Sequence, residues 1–272
     1  MRGRWLCRAA GLLIVGGALG SAQPARAQST IINTRRPPSD VGSPLRPLTL
    51  GASLEFETRH GTSEFNVPLS LDYNLSPYLL LHLEPNLVAI EGERIENANQ
   101  QVPGETKSRR VNLGGVGDTE TSVEYEFLRE RRYTPSLTAS AGLRWPTASN
   151  SAFGDPGVDY EIGLGVSKDL ALFELDSNLV YTMASSSDMQ NSFEASLAIE
   201  VPLSHRFALL GEVVRTMDAG PVQEDGSADL SEGTLGWAWY VSSFTTLEQG
   251  FTVKSDGSWQ AVVGWQYNFG GD

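Results

Sequence analysis

The chain has 272 residues, 40 % of them apolar and 19 % charged, with 28 Gly and a formal net charge of −13. It is too apolar for a disordered chain and too acidic for a nucleic-acid partner, whose phosphates need a basic face. One Cys and three His leave little material for a disulfide framework, a metal cluster or a Cys–His nucleophile, and no cofactor is expected.

Arg2, Arg4 and Arg8 precede an apolar run from Ala9 to Leu19, and Ala25-Arg26-Ala27 supplies a small-residue cleavage pattern. The run is too short to span a bilayer as a helix, and the three parts together read as a secretory signal peptide over 1–27. Gly20-Ser21-Ala22 offers a second cut. Cys7 lies before the apolar run, whereas a lipoprotein Cys follows it, so no lipid anchor is expected. Cleavage after Ala27 removes four Arg and takes the net charge to −17. Residues 28–48 hold Pro37, Pro38, Pro44 and Pro47. Proline removes a backbone donor, so this stretch reads as an irregular periplasmic lead-in, with a tail folded back to plug a lumen as the alternative.

From residue 49 onward the chain alternates with a period of two, the signature of strands whose faces differ. In 49–59, Leu50, Ala52, Leu54 and Phe56 oppose Ser53, Glu55 and Glu57. Glu64 to Leu75 is the clearest stretch, with Phe65, Val67, Leu69, Leu71, Tyr73 and Leu75 against Glu64, Asn66, Pro68, Ser70, Asp72 and Asn74. The pattern returns at 118–128, 136–146, 158–167, 192–203 and 259–269, and more weakly at 78–90, 171–183, 207–216, 233–241 and 244–253. Twelve strands are expected. Short turns fall at Ser76-Pro77, Arg129–Pro135, Lys168-Asp169, Ser204–Arg206 and Ser242-Ser243. The alternate links, 91–117, 147–157, 184–191, 217–232 and 254–258, are mostly longer, and His60–Ser63 breaks the trend. Short turns on one side and long loops on the other describe a transmembrane antiparallel up-and-down β-barrel of the bacterial outer membrane, occupying 49–272.

Aromatics agree with that placement. With the odd strands running outward, Tyr73, Phe127, Phe173, Phe207 and Phe269 fall near the periplasmic rim. Phe65, Trp145, Tyr160, Tyr181, Phe193 and Trp259 fall near the outer rim, giving two girdles. A secreted β-sandwich is the competing fold, its apolar faces forming a core. The regularity of twelve strands and the need to pair every backbone group in hydrocarbon favour closure. Trp265, Tyr267 and Phe269 end the last strand, an aromatic ending that resembles the signal read by the outer-membrane barrel assembly machinery.

Gly114-Gly115-Val116-Gly117-Asp118 opens one strand and Gly142-Leu143-Arg144-Trp145-Pro146-Thr147 closes the next. Asp155-Pro156-Gly157-Val158-Asp159 and Ser167-Lys168-Asp169-Leu170 follow. This order, over 114–180, resembles the outer-membrane proteins of the meta-pathway phenol-degradation family, which are described as transporters. Ala148 stands where that pattern has Gly. The resemblance implies a barrel that passes small aromatic or hydrophobic compounds and supplies no catalytic residues.

The polar faces of the strands are rich in carboxylates. The expected lumen-lining residues are Glu57, Asp72, His82, Glu84, Asp118, Glu124, Arg144, Glu161, Asp176 and Glu194, with Arg144 and His82 the basic groups expected to oppose the carboxylates on that face. A hole lined this way attracts cations and repels anions. Arg144 reads as a structural counter-ion. The expected function is passive passage of a small-molecule solute, with outer-membrane lipid around the barrel. A structural or assembly-related barrel with a closed lumen is the alternative. A lipid-modifying enzyme would need a Ser beside a His. None of His60, His82 or His205 has Ser two positions on, although Ser70 on the neighbouring strand could meet His82. The acidic loop Met217 to Glu232 matches no calcium-loop spacing and reads as solvated surface.

Overall fold

A residue that faces hydrocarbon must be apolar, while its sequence neighbour, turned to the other side of the strand, is free to be polar. The computed structural model shows what that alternation builds. It describes residues 15–18, 26–29, 48–59, 62–97, 106–150, 153–154, 156–185, 191–218 and 230–269. The apolar run at 9–14, most of the lead-in and the centre of the acidic loop lie outside the described residues.

Two short strands, β1 (Val15–Ala18) and β2 (Arg26–Ser29), pair with each other and not with the rest. Twelve strands form one closed barrel. They are β3 (Leu48–Arg59), β4 (Thr62–Ser76), β5 (Leu79–Asn97), β6 (Thr106–Leu128), β7 (Ser136–Trp145), β8 (Asp159–Asp169), β9 (Glu174–Met183), β10 (Ser192–Pro202), β11 (Phe207–Asp218), β12 (Leu230–Tyr240), β13 (Thr245–Lys254) and β14 (Trp259–Phe269). Every neighbour is antiparallel, and all pairs but the closing one are consecutive in sequence. The ring closes where β14 pairs with β3, from Trp259 opposite Thr58 to Phe269 opposite Leu48. Closure leaves no edge with unpaired backbone groups, the condition for lying in lipid.

The outer surface carries the exposed large apolar side chains. On β8, Tyr160, Ile162, Leu164 and Val166 are exposed, while Asp159 and Glu161, on the alternate positions, are buried. The outer aromatic ring includes Phe56 packed on Phe65 at 4.8 Å and on Trp259 at 5.4 Å, with Phe251 on Trp259 at 5.7 Å. The periplasmic ring includes Phe207 stacked on Trp239 and the run Trp265, Tyr267 and Phe269. Five short turns fall at one end, but the one expected at Lys168-Asp169 lies at 170–173, because β8 continues to Asp169 before the chain reverses. At that end Arg129 lies 4.3 Å over the Tyr78 ring and donates to the Pro77 carbonyl at 3.3 Å, tying one turn to its neighbour.

The link expected over 91–117 is mostly strand: β5 runs on to Asn97 and β6 begins at Thr106. Beyond the bilayer no hydrocarbon demands an apolar face. The alternation therefore stops there while the backbone ladder continues, from Gly92 opposite Val111 to Asn97 opposite Thr106. The ladder also shifts register. Pro85 faces Thr119 but Leu87 faces Val116, so β6 carries one extra residue at Gly117-Asp118. Pro85 has no N–H to give, and an extra residue beside it is a bulge of the kind that re-aims side chains.

Candidate functional site

The inner face is built by parity. Residues paired across antiparallel strands share a face, so one row runs from Asp176 on β9 to Ala198, Glu212, Thr234, Thr252, Gln260, Glu57 and Glu64. The ten expected lumen residues all stand on strand positions of the inward parity or at the β6 bulge, but they do not form one site. Glu57, Asp72, His82 and Glu84 lie on the β3–β5 wall, Glu124, Arg144 and Glu161 on β6–β8, and Asp176 and Glu194 on β9–β10.

Arg144 is buried and held among carboxylates. Its Nε donates to Glu120 Oε1 at 2.8 Å, its Nη2 lies 3.5 Å from Glu161 Oε1, and its Nη1 lies 4.0 Å from Asp159 Oδ2. Glu120 and Asp159 are its direct cross-strand partners on either side. Such an arrangement compensates a desolvated charge with several opposite ones. His82 sits between two carboxylates, with Nδ1 2.5 Å from Asp72 Oδ1 and Nε2 3.6 Å from Glu84 Oε2. Both ring nitrogens face carboxylates, and neither faces the Ser70 hydroxyl that a nucleophile pair would need.

The sequence places Lys254 in a loop and leaves Arg144 and His82 as the basic groups opposing the carboxylates of the polar face. The structure corrects this. Lys254 ends β13 and is buried on the inner face, its Nζ 2.9 Å from Glu57 Oε2 and its backbone opposite Glu232. Its parity with Glu248, Gly250 and Thr252 was the signal that placed it inside. Glu232, expected at the end of a loop, lies on β12 and is buried there. Among the described side chains, the basic groups of the inner face are His82, Arg144 and Lys254. Arg144 and Lys254 stand six strands apart in a ring of twelve, on opposite walls.

Asp118 does more than line a hole. Its Oδ1 accepts from the Ala148 N–H at 3.1 Å, and a Cβ on Gly154 would lie 2.3 Å from that oxygen. Phe153 is buried beside the glycines of the same motif. A Cβ on Gly115 would lie 2.9 Å from its ring, and one on Gly117 would lie 3.4 Å from its carbonyl oxygen. Val116 N–H donates to Ser149 Oγ at 3.0 Å, and Ser149 N–H donates to the Val116 carbonyl at 2.8 Å. The glycine motif is therefore the seat on which the β7–β8 loop rests, and the missing side chains at Gly115 and Gly117 make room for Phe153.

Elsewhere the inner face is tightly furnished. Glu124, Thr138, Ser140, Gly163, Gly165, Asn178 and Val180 are among the residues around a recess of about 20 Å³. Glu194 Oε2 accepts from Thr216 Oγ1 at 3.5 Å, and Glu200 accepts from Tyr240 Oη at 2.9 Å. The face is not uniformly polar. Val180, Ala208, Leu210, Val214 and Ala238 are buried on β9, β11 and β12, and Val262 on β14. Both faces of β11 are apolar over 207–210, which hides the period from sequence.

These features define an outer-membrane β-barrel with an inner face rich in carboxylates. No family model matches the chain, and no curated protein matches it. Solved structures of the same fold do. The COG4313 outer membrane channel from Pseudomonas putida F1 is similar over 86 % of this chain and 100 % of that one, at 14 % identity and a TM-score of 0.58. The NanC porin is similar over 81 % of this chain and 100 % of that one, at 9 % identity and a TM-score of 0.57. The KdgM porin, solved in complex with disordered oligogalacturonate, covers 81 % of this chain and 99 % of its own at 12 % identity and a TM-score of 0.50.

Proposed function

We propose that the chain is a channel for passive passage of small solutes across the outer membrane, in the manner of the meta-pathway phenol-degradation proteins that its 114–180 motifs resemble. One observation carries the reading: a single closed wall turns an apolar surface outward and a carboxylate-rich surface inward. A globular β protein would bury its apolar face and solvate its polar one, whereas this wall does the reverse. The outer membrane channel and the porins that share this fold support the reading. The aromatic or hydrophobic nature of the solute rests on the motif resemblance alone. Membrane lipid and, during insertion, the barrel assembly machinery are the partners that fit the apolar belt and the aromatic C-terminal strand.

The test is single-channel recording from the purified, folded protein in planar bilayers. Discrete conductance steps are expected, with reversal potentials in a salt gradient that favour cations. Anion preference overturns the lumen assignment of the ten carboxylate-strand residues. A folded barrel that stays silent supports the closed structural reading instead. Liposome swelling with phenol set against a sugar of similar size tests the solute class, and equal rates remove the aromatic preference.

A further inference from the structure

At the periplasmic end, two neighbouring turns are tied into one platform. Residues 129–135 link β6 to β7, and residues 170–173 link β8 to β9. Glu130 on the first turn accepts from Lys168 Nζ and, at 3.0 Å, from the Asp169 N–H beside the second. Lys168 Nζ also donates to the Arg131 carbonyl at 3.2 Å. The platform puts two kinds of side chain at its surface. The first is apolar. Tyr133 is 84 % exposed and Leu172 78 %, the highest values among the large apolar side chains described. Ala171 sets Leu172 at the tip of its turn with a φ of 68°, a left-handed conformation that an L side chain disfavours. Asp169 Oδ1 accepts the Ala171 N–H at 2.8 Å, and the Leu170 N–H donates to the Phe173 carbonyl at 2.9 Å, so the strained tip is held in place. The second kind is cationic. Arg129 is engaged by Glu126 and the Pro77 carbonyl, and Lys168 by Glu130. Arg131 and Arg132 are exposed, and neither has a carboxylate partner among the described residues. Arg132 lies instead 5.2 Å from the centre of the Tyr133 ring.

Two guanidinium groups without a carboxylate are unexpected in a chain with 33 acidic and 20 basic residues. Their surroundings say what would pair them. The apolar belt ends beside the platform, at the exposed Tyr125, Phe127 and Leu128 of β6. Aromatic rims of barrels lie at the headgroup level, so the headgroups of the periplasmic leaflet border these turns. A zwitterionic headgroup brings a phosphate and its own cation. An anionic headgroup brings the phosphate alone, which arginine binds by charge-assisted N–H bonds. Tyr133 and Leu172 would then meet the acyl boundary in place of water, and basic and apolar side chains side by side are what interfacial binding uses. A soluble anion would satisfy the arginines and leave Tyr133 and Leu172 in water. We propose that Arg131, Arg132, Tyr133 and Leu172 form a binding site for an anionic phospholipid of the periplasmic leaflet. It goes beyond the channel reading, since it needs the barrel's place in the outer membrane and not an open pore.

Native mass spectrometry of the folded full chain tests this, with the protein released from detergent micelles doped equally with phosphatidylglycerol and phosphatidylcholine of the same acyl chains. Phosphatidylglycerol adducts are expected to be retained in preference to phosphatidylcholine. Arg131→Ser and Arg132→Ser are each expected to lower that preference about fivefold, the worth of one basic residue at an anionic surface. Arg206→Ser removes an exposed cation from the turn between β10 and β11, four strands further round the ring. Four strands are about 20 Å at about 4.8 Å each, beyond a Debye length of about 8 Å, so a change below about twofold is expected there. Leu172→Ser is expected to reduce the adducts of both lipids alike and to leave their ratio unchanged, because it removes apolar contact and no charge. All four substituted side chains are exposed, so the variants are expected to keep the barrel, which a heat-modifiability gel checks. Equal losses from the three arginine variants would show a general surface field and overturn the site, as would a parent protein that retains both lipids equally. Inorganic phosphate that displaces the phosphatidylglycerol at millimolar concentration would assign the arginines to a soluble anion and overturn the lipid. Retention is read without current, so a barrel that never conducts sinks the channel reading alone.

Discussion

Arg144 shows how a single residue holds a wall of like charges together. Glu120, Asp159 and Glu161 gather around one guanidinium, so removing it leaves buried carboxylates without compensation. Arg144→Met is expected to cost about 3–5 kcal/mol, the usual range when one partner of a buried pair is deleted. Urea titration in detergent, read by the folded and unfolded gel bands, measures it, and an unchanged midpoint would show that the carboxylates find other partners. Two inward glycines give a sharper contrast. A Cβ on Gly236 would lie 2.4 Å from the Gln249 carbonyl oxygen, which is backbone and cannot swing away. A Cβ on Gly264 would meet nothing nearer than 3.8 Å. Gly236→Ala is expected to destabilise by about 1–3 kcal/mol, and Gly264→Ala to stay within about 0.5 kcal/mol. The same urea titration separates them, and equal costs would contradict the close strand approach at Gly236.

At the level of strands, what could be read from sequence follows from what lipid demands. Glu64 to Leu75 alternates without a break because each residue on one face meets hydrocarbon, and its strand appears where expected, as β4 over Thr62–Ser76. Residues 91–97 and 106–112 are strand too, but they project beyond the bilayer, where neither face is selected, so nothing in their composition marks them. Lys254 and Glu232 were hidden differently. Each sits at a strand end, where polar residues also begin loops, and only counting parity inward from Thr252 or Thr234 assigns them to the lumen. The glycine motif was visible, but its purpose was not, since the partner Phe153 is far along the chain and reaches it only once β6 and β7 pair. The β7–β8 loop should therefore depend on that one ring. Phe153→Ala is expected to lower hydrogen-exchange protection of the Ala148 and Ser149 amides, which bond Asp118 and Val116, while leaving the β7 and β8 cores protected, because loop seating and the barrel ladder are separable units of stability. Unchanged exchange at Ala148 would show that the backbone bonds alone hold the loop.

For the molecule as a whole, the apolar exterior has a measurable consequence. The five described tryptophans, Trp145, Trp237, Trp239, Trp259 and Trp265, are all exposed and all turn outward. Trp145 and Trp259 belong to the outer ring, and Trp239 and Trp265 to the periplasmic ring, on either side of a band that must match the hydrocarbon thickness, about 25 Å in barrels of this kind. Indole prefers the headgroup level, where its ring is apolar and its N–H can find water or a polar partner. Trp145 already does so by donating from Nε1 to Thr121 Oγ1 at 2.9 Å. In liposomes, lipids brominated near the headgroup should therefore quench the intrinsic fluorescence more than lipids brominated near the chain end, and aqueous iodide should quench weakly. Trp237 stands between the rings and is expected to supply most of what deep bromines remove, so Trp237→Phe should lower the deep component and leave the shallow one. Strong iodide quenching with no response to either bromolipid would mean that the aromatic face meets water, and the barrel could not then be lying in a membrane.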